Sequence, residues 1–178
     1  MQRIPFLAIL GLLVAGCASM MQPTTAGNTA AAELQNSNGR STGTATFTQV
    51  PGGVRIVVEA KGLSPGSHAV HIHEVGKCEG PQFNTAGGHF NPDKKQHGTM
   101  NPQGAHAGDL PNLTIVMDGT GRLEAITDRM TLGAGATSLF DADGSAIVVH
   151  AGPDDLKTDP TGNSGGRIAC GVVVKKPS

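Results

Sequence analysis

The 178-residue chain contains no tryptophan, no tyrosine and only five phenylalanines. It therefore lacks the aromatic platforms on which single-stranded nucleic acids stack. An excess of basic residues is missing too. Thirteen Lys and Arg stand against fourteen Asp and Glu, for a formal charge of −1, so no basic field suited to a phosphate backbone emerges and no nucleic-acid partner is expected. No stretch carries a convincing long-helix pattern. The apolar run Ile4–Ala15, preceded by Arg3, is too short to span a bilayer comfortably and reads as the apolar part of a secretory signal. Cysteine is scarce, with three in the whole chain.

The first of these cysteines closes Val14-Ala15-Gly16-Cys17, which resembles the lipobox of bacterial lipoproteins. That resemblance implies a lipoprotein signal peptide over 1–16, lipidation of Cys17 as the mature N-terminus, and a membrane anchor outside the cytoplasm, on a periplasmic or cell-surface face. Acyl chains contribute roughly 0.8 kcal/mol per buried methylene, and stable anchoring takes more than one chain. Ordinary cleavage near Ala18 is the alternative. Residues 17–30, rich in Thr, Ala, Gln, Asn and Gly, read as a flexible tether, and 31–176 as the folded domain. In an oxidising compartment Cys78 and Cys170 pair as a disulfide, which closes a loop of about ninety residues and is worth roughly 4–5 kcal/mol in the chain-entropy model. Thiolate ligation of a metal is the competing use, weakened by the lack of any CxxC spacing.

Glycine is abundant, with 26 in the chain, and strand patterns fill the intervals between Gly/Pro turns. Eight runs qualify: Ala31–Gln35, Thr42–Val50, Val54–Lys61, Ala69–Glu74, Leu113–Met117, Arg122–Ile126, Ala146–His150 and Ile168–Val174. Asp118-Gly119-Thr120-Gly121 is a hairpin signal between the fifth and sixth. Short strands so punctuated make an all-β sandwich or barrel. Two long segments, Val75–Pro111 and Ala151–Gly166, break the rhythm. Loops of that length inside a compact domain need a function or an external staple.

Histidine supplies the candidate function. His71 and His73, two apart in an extended strand, point to one face, with Ile72 directed to the other. His89, His97, His106 and Asp109 space out the first long loop, and His150 ends a strand. Imidazole and carboxylate are metal ligands, and three His with one Asp suit a closed, structural zinc site. Six histidines and Asp109 exceed the four ligands of one tetrahedral site. Two metals, or one metal with surplus histidines, both fit the count. The bland alternative is an exposed histidine pair and a hydrogen-bonded His150.

The runs His71-Ile72-His73-Glu74, Gly87-Gly88-His89-Phe90-Asn91-Pro92, His97-Gly98 and His106-Ala107-Gly108-Asp109-Leu110 resemble, in this order, the copper/zinc superoxide dismutase family. So do Val148-Val149-His150 and Gly166-Arg167-Ile168-Ala169-Cys170-Gly171, and the match covers about residues 31–175. The resemblance is to a bacterial, extracytoplasmic lipoprotein-type member. It implies an eight-stranded Greek-key β-barrel or sandwich with two long functional loops. It implies one copper per subunit on His71, His73, His89 and His150, and one zinc on His89, His97, His106 and Asp109, with His89 bridging. By the same resemblance Asp154 hydrogen-bonds His71 and His97 from outside the ligand shell, Arg167 orients the anion, and Cys78 and Cys170 form the intrasubunit disulfide. His68 matches a structural histidine and stays outside the ligand set. Ala69-Val70 departs from relatives that have Gly and an aromatic there, which touches packing behind the copper pair.

The implied reaction is dismutation of superoxide to dioxygen and hydrogen peroxide, with Arg167 and His89 as the catalytic residues. A non-enzymatic copper/zinc-binding lipoprotein on the same scaffold is the alternative. A zinc hydrolase is disfavoured, because the zinc set is closed and Glu74 forms no HExxH helix. Superoxide and, through the lipid, a membrane are the expected partners. The family includes monomers and dimers, so a homodimer is one option.

Overall fold

Alternation of apolar and polar side chains along the first three strands becomes an inside and an outside. Ala30, Ala32 and Leu34, then Ala45 and Phe47, then Val54, Ile56 and Val58 are buried in one core, while their neighbours in sequence turn outward. The computed structural model describes residues 28–177. The expected signal peptide, the lipidation site Cys17 and most of the tether lie outside them. The strands are β1 (Thr29–Asn36), β2 (Ser41–Val50), β3 (Gly53–Ala60), β4 (Gly66–His68), β5 (Val70–His73), β6 (Leu113–Ile115), β7 (Gly121–Thr127), β8 (Ala146–His150), β9 (Arg167–Val172) and β10 (Val174–Lys175). Among the described residues the helical structure is one short turn, Asn84–Ala86.

Every strand pair is antiparallel, and the lateral order is β4-β6-β7-β3-β2-β1-β9-β8-β5, with β10 beside β1. The two ends of that path, β4 and β5, are consecutive in the chain. Ala69 carries the chain from one to the other and pins the seam: its N–H donates to Gly152 O at 2.8 Å and its carbonyl accepts from His150 N at 2.9 Å. The result is a nearly closed barrel, which leaves few free edges.

Each of the eight expected runs contains a strand, although β6 stops at Ile115, two residues short, and β5 leaves out Ala69 and Glu74. The count of ten comes from two local departures. Gly66–His68, just after the Pro65 turn and ahead of the expected Ala69–Glu74 run, pairs with β6 in the register Gly66↔Ile115 to His68↔Leu113 and forms β4. The last run breaks at Val173, whose N–H goes to Ser145 O at 2.9 Å, so Val174–Lys175 crosses to β1. β1 itself starts at Thr29, so the last two residues of the expected tether are strand.

β5 and β8 differ from the rest because all their residues are buried. Val70, Ile72, Ile147 and Val149 face the barrel core. A smaller apolar cluster of Phe83, Ala86, Ala146, Val148 and Cys170 covers the other side of the sheet. The 74–112 connection therefore packs on this sheet and buries whatever β5 presents outward.

Candidate metal centre

The free edge of β5 assembles the site. One edge pairs with β8. On the other, Phe90 N–H donates to Ile72 O at 2.8 Å and Ile72 N–H to Gly108 O at 2.9 Å. These bonds set His73 opposite His89 and His71 opposite Asp109, residues distant in sequence. At the end of β8 the pairing with β9 slips between Val149 and His150 and places His150 across from Arg167. Such an irregularity re-aims a side chain. His71 and His73 are buried, as are His89, His97, His106, Asp109 and His150, so they are not an exposed histidine face.

Two donor sets result. In the first, His71, His73, His89 and His150 each bring one donor atom within 4.8 Å of the others. Their atoms His71 Nδ1, His73 Nε2, His89 Nε2 and His150 Nε2 are buried and have no hydrogen-bond partner. Four orphaned nitrogens converging in one place would be costly for a fold that meant to leave them bare. They are what a cation bound there would use.

In the second set, Asp109 Oδ1 stands 3.0 Å from His89 Nδ1, 3.1 Å from His97 Nδ1 and 3.3 Å from His106 Nδ1, and the Nδ1 atoms of His89 and His106 are 3.3 Å apart. Zinc bonds of about 2.0–2.1 Å in a tetrahedron put neighbouring ligand atoms about 3.3 Å apart. His97 Nδ1 makes no hydrogen bond despite its short distance to Asp109, which suits a shared ion better than a shared proton. By proximity alone His71 also groups with His89, His97 and Asp109. Its Nε2 is committed to Asp154 at 2.7 Å and its Nδ1 is the orphan of the first set, so His106 is the better fourth member. His89 belongs to both sets, one ring nitrogen to each.

Asp154 ties the sets together from outside. Its carboxylate accepts from His71 Nε2 at 2.7 Å and from His97 Nε2 at 2.9 Å. Asn112 fixes its backbone, with Asp154 N–H donating to Asn112 Oδ1 at 2.8 Å and Asn112 Nδ2 to Asp154 O at 2.9 Å. Burial pushes His73 down to about 2, His89 to about 4 and His150 to about 3, with neighbouring histidines adding to each shift. Burial also lowers His71, against the pull of Asp154. Neutral rings are the ligand form. His97 goes the other way: burial opposes its charge, but Asp109 and Asp154 outweigh burial and hold it at about 9. Both carboxyls sit well below the usual range although burial resists, because the histidines hydrogen-bond them. Two buried carboxylates thus call for positive charge between them, which protonated His97 supplies in the metal-free protein and a divalent ion bound there would supply in its place.

A cleft of about 770 Å³ opens on the first set, lined among others by His73, His89, His150 and Arg167. Arg167 donates from Nη1 to Phe83 O and from Nη2 to Gly87 O, both at 2.6 Å. Its pairing is with these carbonyls, while Asp159, an acid that could have engaged it, accepts instead from His97 N at 2.6 Å. Phe83 and Gly87 belong to the loop that the Cys78–Cys170 disulfide pins to β9, across 92 residues. The expected bond is formed, and the two sulfurs stand apart from the histidine sets.

Sequence reading missed several supporting groups. Ser164, fully buried, places Oγ 3.1 Å from His150 Nδ1, which also faces Gly165 O at 3.2 Å. Arg129 donates from Nη2 to Asp109 O at 2.9 Å. His68, by contrast, reads from the sequence as a structural histidine outside the ligand set, and it spans His150 O at 2.8 Å and Ser64 O at 2.9 Å. Nothing in the local spacing of a serine or an arginine announces such contacts. Only the reach to a histidine or carboxylate already suspected could have found them.

An antiparallel barrel carrying two adjoining donor sets on one seam, one of four histidines and one of three histidines and an aspartate, defines a class of metalloprotein. Residues 41–173 match the family described as copper/zinc superoxide dismutase. A Cu-Zn superoxide dismutase of Aquifex aeolicus is 49% identical over 144 residues, 80% of this chain and 85% of that one. One of Deinococcus radiodurans is 43% identical over 181 residues, covering 95% of this chain and 93% of its own. The crystal structure of a superoxide dismutase-like protein from Bacillus subtilis superposes with a TM-score of 0.78 at 40% identity, over 81% of this chain and 97% of that one. The chain belongs to the copper/zinc superoxide dismutase family.

Proposed function

We propose that this protein dismutes superoxide to dioxygen and hydrogen peroxide at a copper–zinc centre outside the cytoplasm. Copper would be held by His71, His73, His89 and His150, and zinc by His89, His97, His106 and Asp109. The observation that carries the reading is the set of four orphaned, buried histidine nitrogens beside the cleft, joined through His89 to a second set of tetrahedral dimensions. When bound, copper supplies the one-electron redox chemistry and zinc a redox-inert charge.

The chain's own residues do the rest. Arg167 keeps its charge even half-buried, because a guanidinium is always protonated, and its cleft position beside His73, His89 and His150 orients a small anion. The cleft is far larger than a diatomic ion, so charge selects the substrate more than shape does. Glu74 also lines it and opposes the attraction. Overall the reaction takes two superoxide ions and two protons to one dioxygen and one hydrogen peroxide. We place one proton at His89 Nε2, which faces this space, and draw the other from solvent. The lipobox-like Val14–Cys17 supports anchoring through Cys17, and the Cys78–Cys170 bond suits an oxidising compartment.

The test is superoxide decay after reconstitution with both metals. The parent should catalyse decay far above the His71→Ala variant. Equal decay would reject the enzyme and leave a metal-binding protein on the same scaffold.

A further inference from the structure

Metal-bound histidines donate their second ring N–H to a carboxylate, carbonyl or water, which fixes tautomer and orientation. In this chain that account nearly closes. His71 and His97 have Asp154, His73 Nδ1 has Gly87 O at 3.0 Å, and His150 Nδ1 has Ser164 Oγ and Gly165 O. His89 turns one nitrogen to each set and has none to spare. His106 alone remains: its Nδ1 belongs to the Asp109 set, and the acceptor facing its Nε2 is Asp159 Oδ1 at 3.8 Å. That same oxygen accepts the backbone N–H of His97 at 2.6 Å.

We propose that Asp159 is a positioning residue for zinc, holding His97 by its backbone and His106 by its outer nitrogen. The inference rests on the zinc assignment made above. Asp159 belongs to the second long loop, as Asp154 does, and the intervening residues lie along the first loop. Met100 N–H donates to Leu156 O at 2.8 Å and Asn101 Nδ2 to Lys157 O at 3.3 Å. Gly98 has no side chain because a Cβ there would run into the Leu156 carbonyl. Asp159 terminates this zipper at the two zinc-loop histidines. A single carboxylate oxygen that accepts a main-chain N–H and stands 3.8 Å from a ring nitrogen brings the second loop to the zinc site, although it supplies no ligand. The side chain is 46% exposed, so its removal leaves no buried hole.

The test compares zinc release to a chromophoric chelator from the copper- and zinc-loaded protein and from Asp159→Asn and Asp159→Ala. Removing an outer partner of a ligand typically costs 10–100-fold in metal affinity, and one partly exposed oxygen belongs at the low end. Asp159→Ala should release zinc about 10-fold faster than the parent. Asp159→Asn keeps an oxygen acceptor but loses the charge, and should fall between them. Cobalt substituted for zinc should show an altered visible spectrum in Asp159→Ala. Parental zinc release by Asp159→Ala overturns the proposal. So does equal release by both variants with unchanged cobalt spectra, which marks general loosening. A parent that holds no zinc rejects the zinc assignment itself, a separate and visible failure.

Discussion

Gly162 stands against the outer face of the centre with φ of +63°, a conformation that disfavours side chains, and a Cβ there would run into Asp154 Oδ1 and His97 Nε2. Gly162→Ala should therefore displace the carboxylate that joins the two donor sets. The expected result is a 10–100-fold loss in metal affinity, measured by chelator competition for copper and zinc. The donor residues were legible in the sequence because imidazole and carboxylate chemistry is written in the residue name. Gly162, Ser164 and Asp159 were not, because each acts by where its backbone or one oxygen happens to lie. Asp159 shows the difference well: an acid in a long loop carries no sign of its partner in the sequence, and in the fold it accepts the His97 N–H and faces His106.

At the scale of elements, strands were readable and edges were not. Alternation located β2, β3 and β7, yet β5 and β8 are buried on both faces, and their use follows from what the long loop lays over them. No periodicity foretells that Phe90 and Gly108 bond to Ile72, although that edge creates the site. The loop is stapled at Cys78 and carries the carbonyls that hold Arg167. Replacing both cysteines, Cys78→Ser with Cys170→Ser, should cost about 2–5 kcal/mol of stability in a denaturant titration. Superoxide decay should fall further than metal content does, since Arg167 loses its frame while the histidines keep theirs. A fall in activity matched by loss of copper would assign the staple to ligation instead.

For the whole molecule, proton and metal compete for the same buried rings. In the metal-free protein His73, His89 and His150 have folded pKa values of about 2, 4 and 3, below the unfolded value near 6.5. Below that unfolded value the unfolded chain binds more protons, so stability falls as pH drops through 6.5 toward 3, by at most about 1.4 kcal/mol per pH unit for each ring. His97 contributes oppositely. Its folded value of about 9 gives stability that is full below about 6.5 and fades as pH rises to 9. Metal-free protein should thus be most stable near pH 6.5, as thermal melts across pH will record, and metal binding should flatten the acid side by replacing protons.

The joined centre is tested most directly by counting copper and zinc per chain after reconstitution and dialysis, in the parent, His150→Ala and His89→Ala. The parent should hold one of each. His150→Ala should lose copper and keep zinc, and His89→Ala should be impaired in both. Full retention of either metal by His89→Ala, at parental affinity, would contradict a centre that shares this ring.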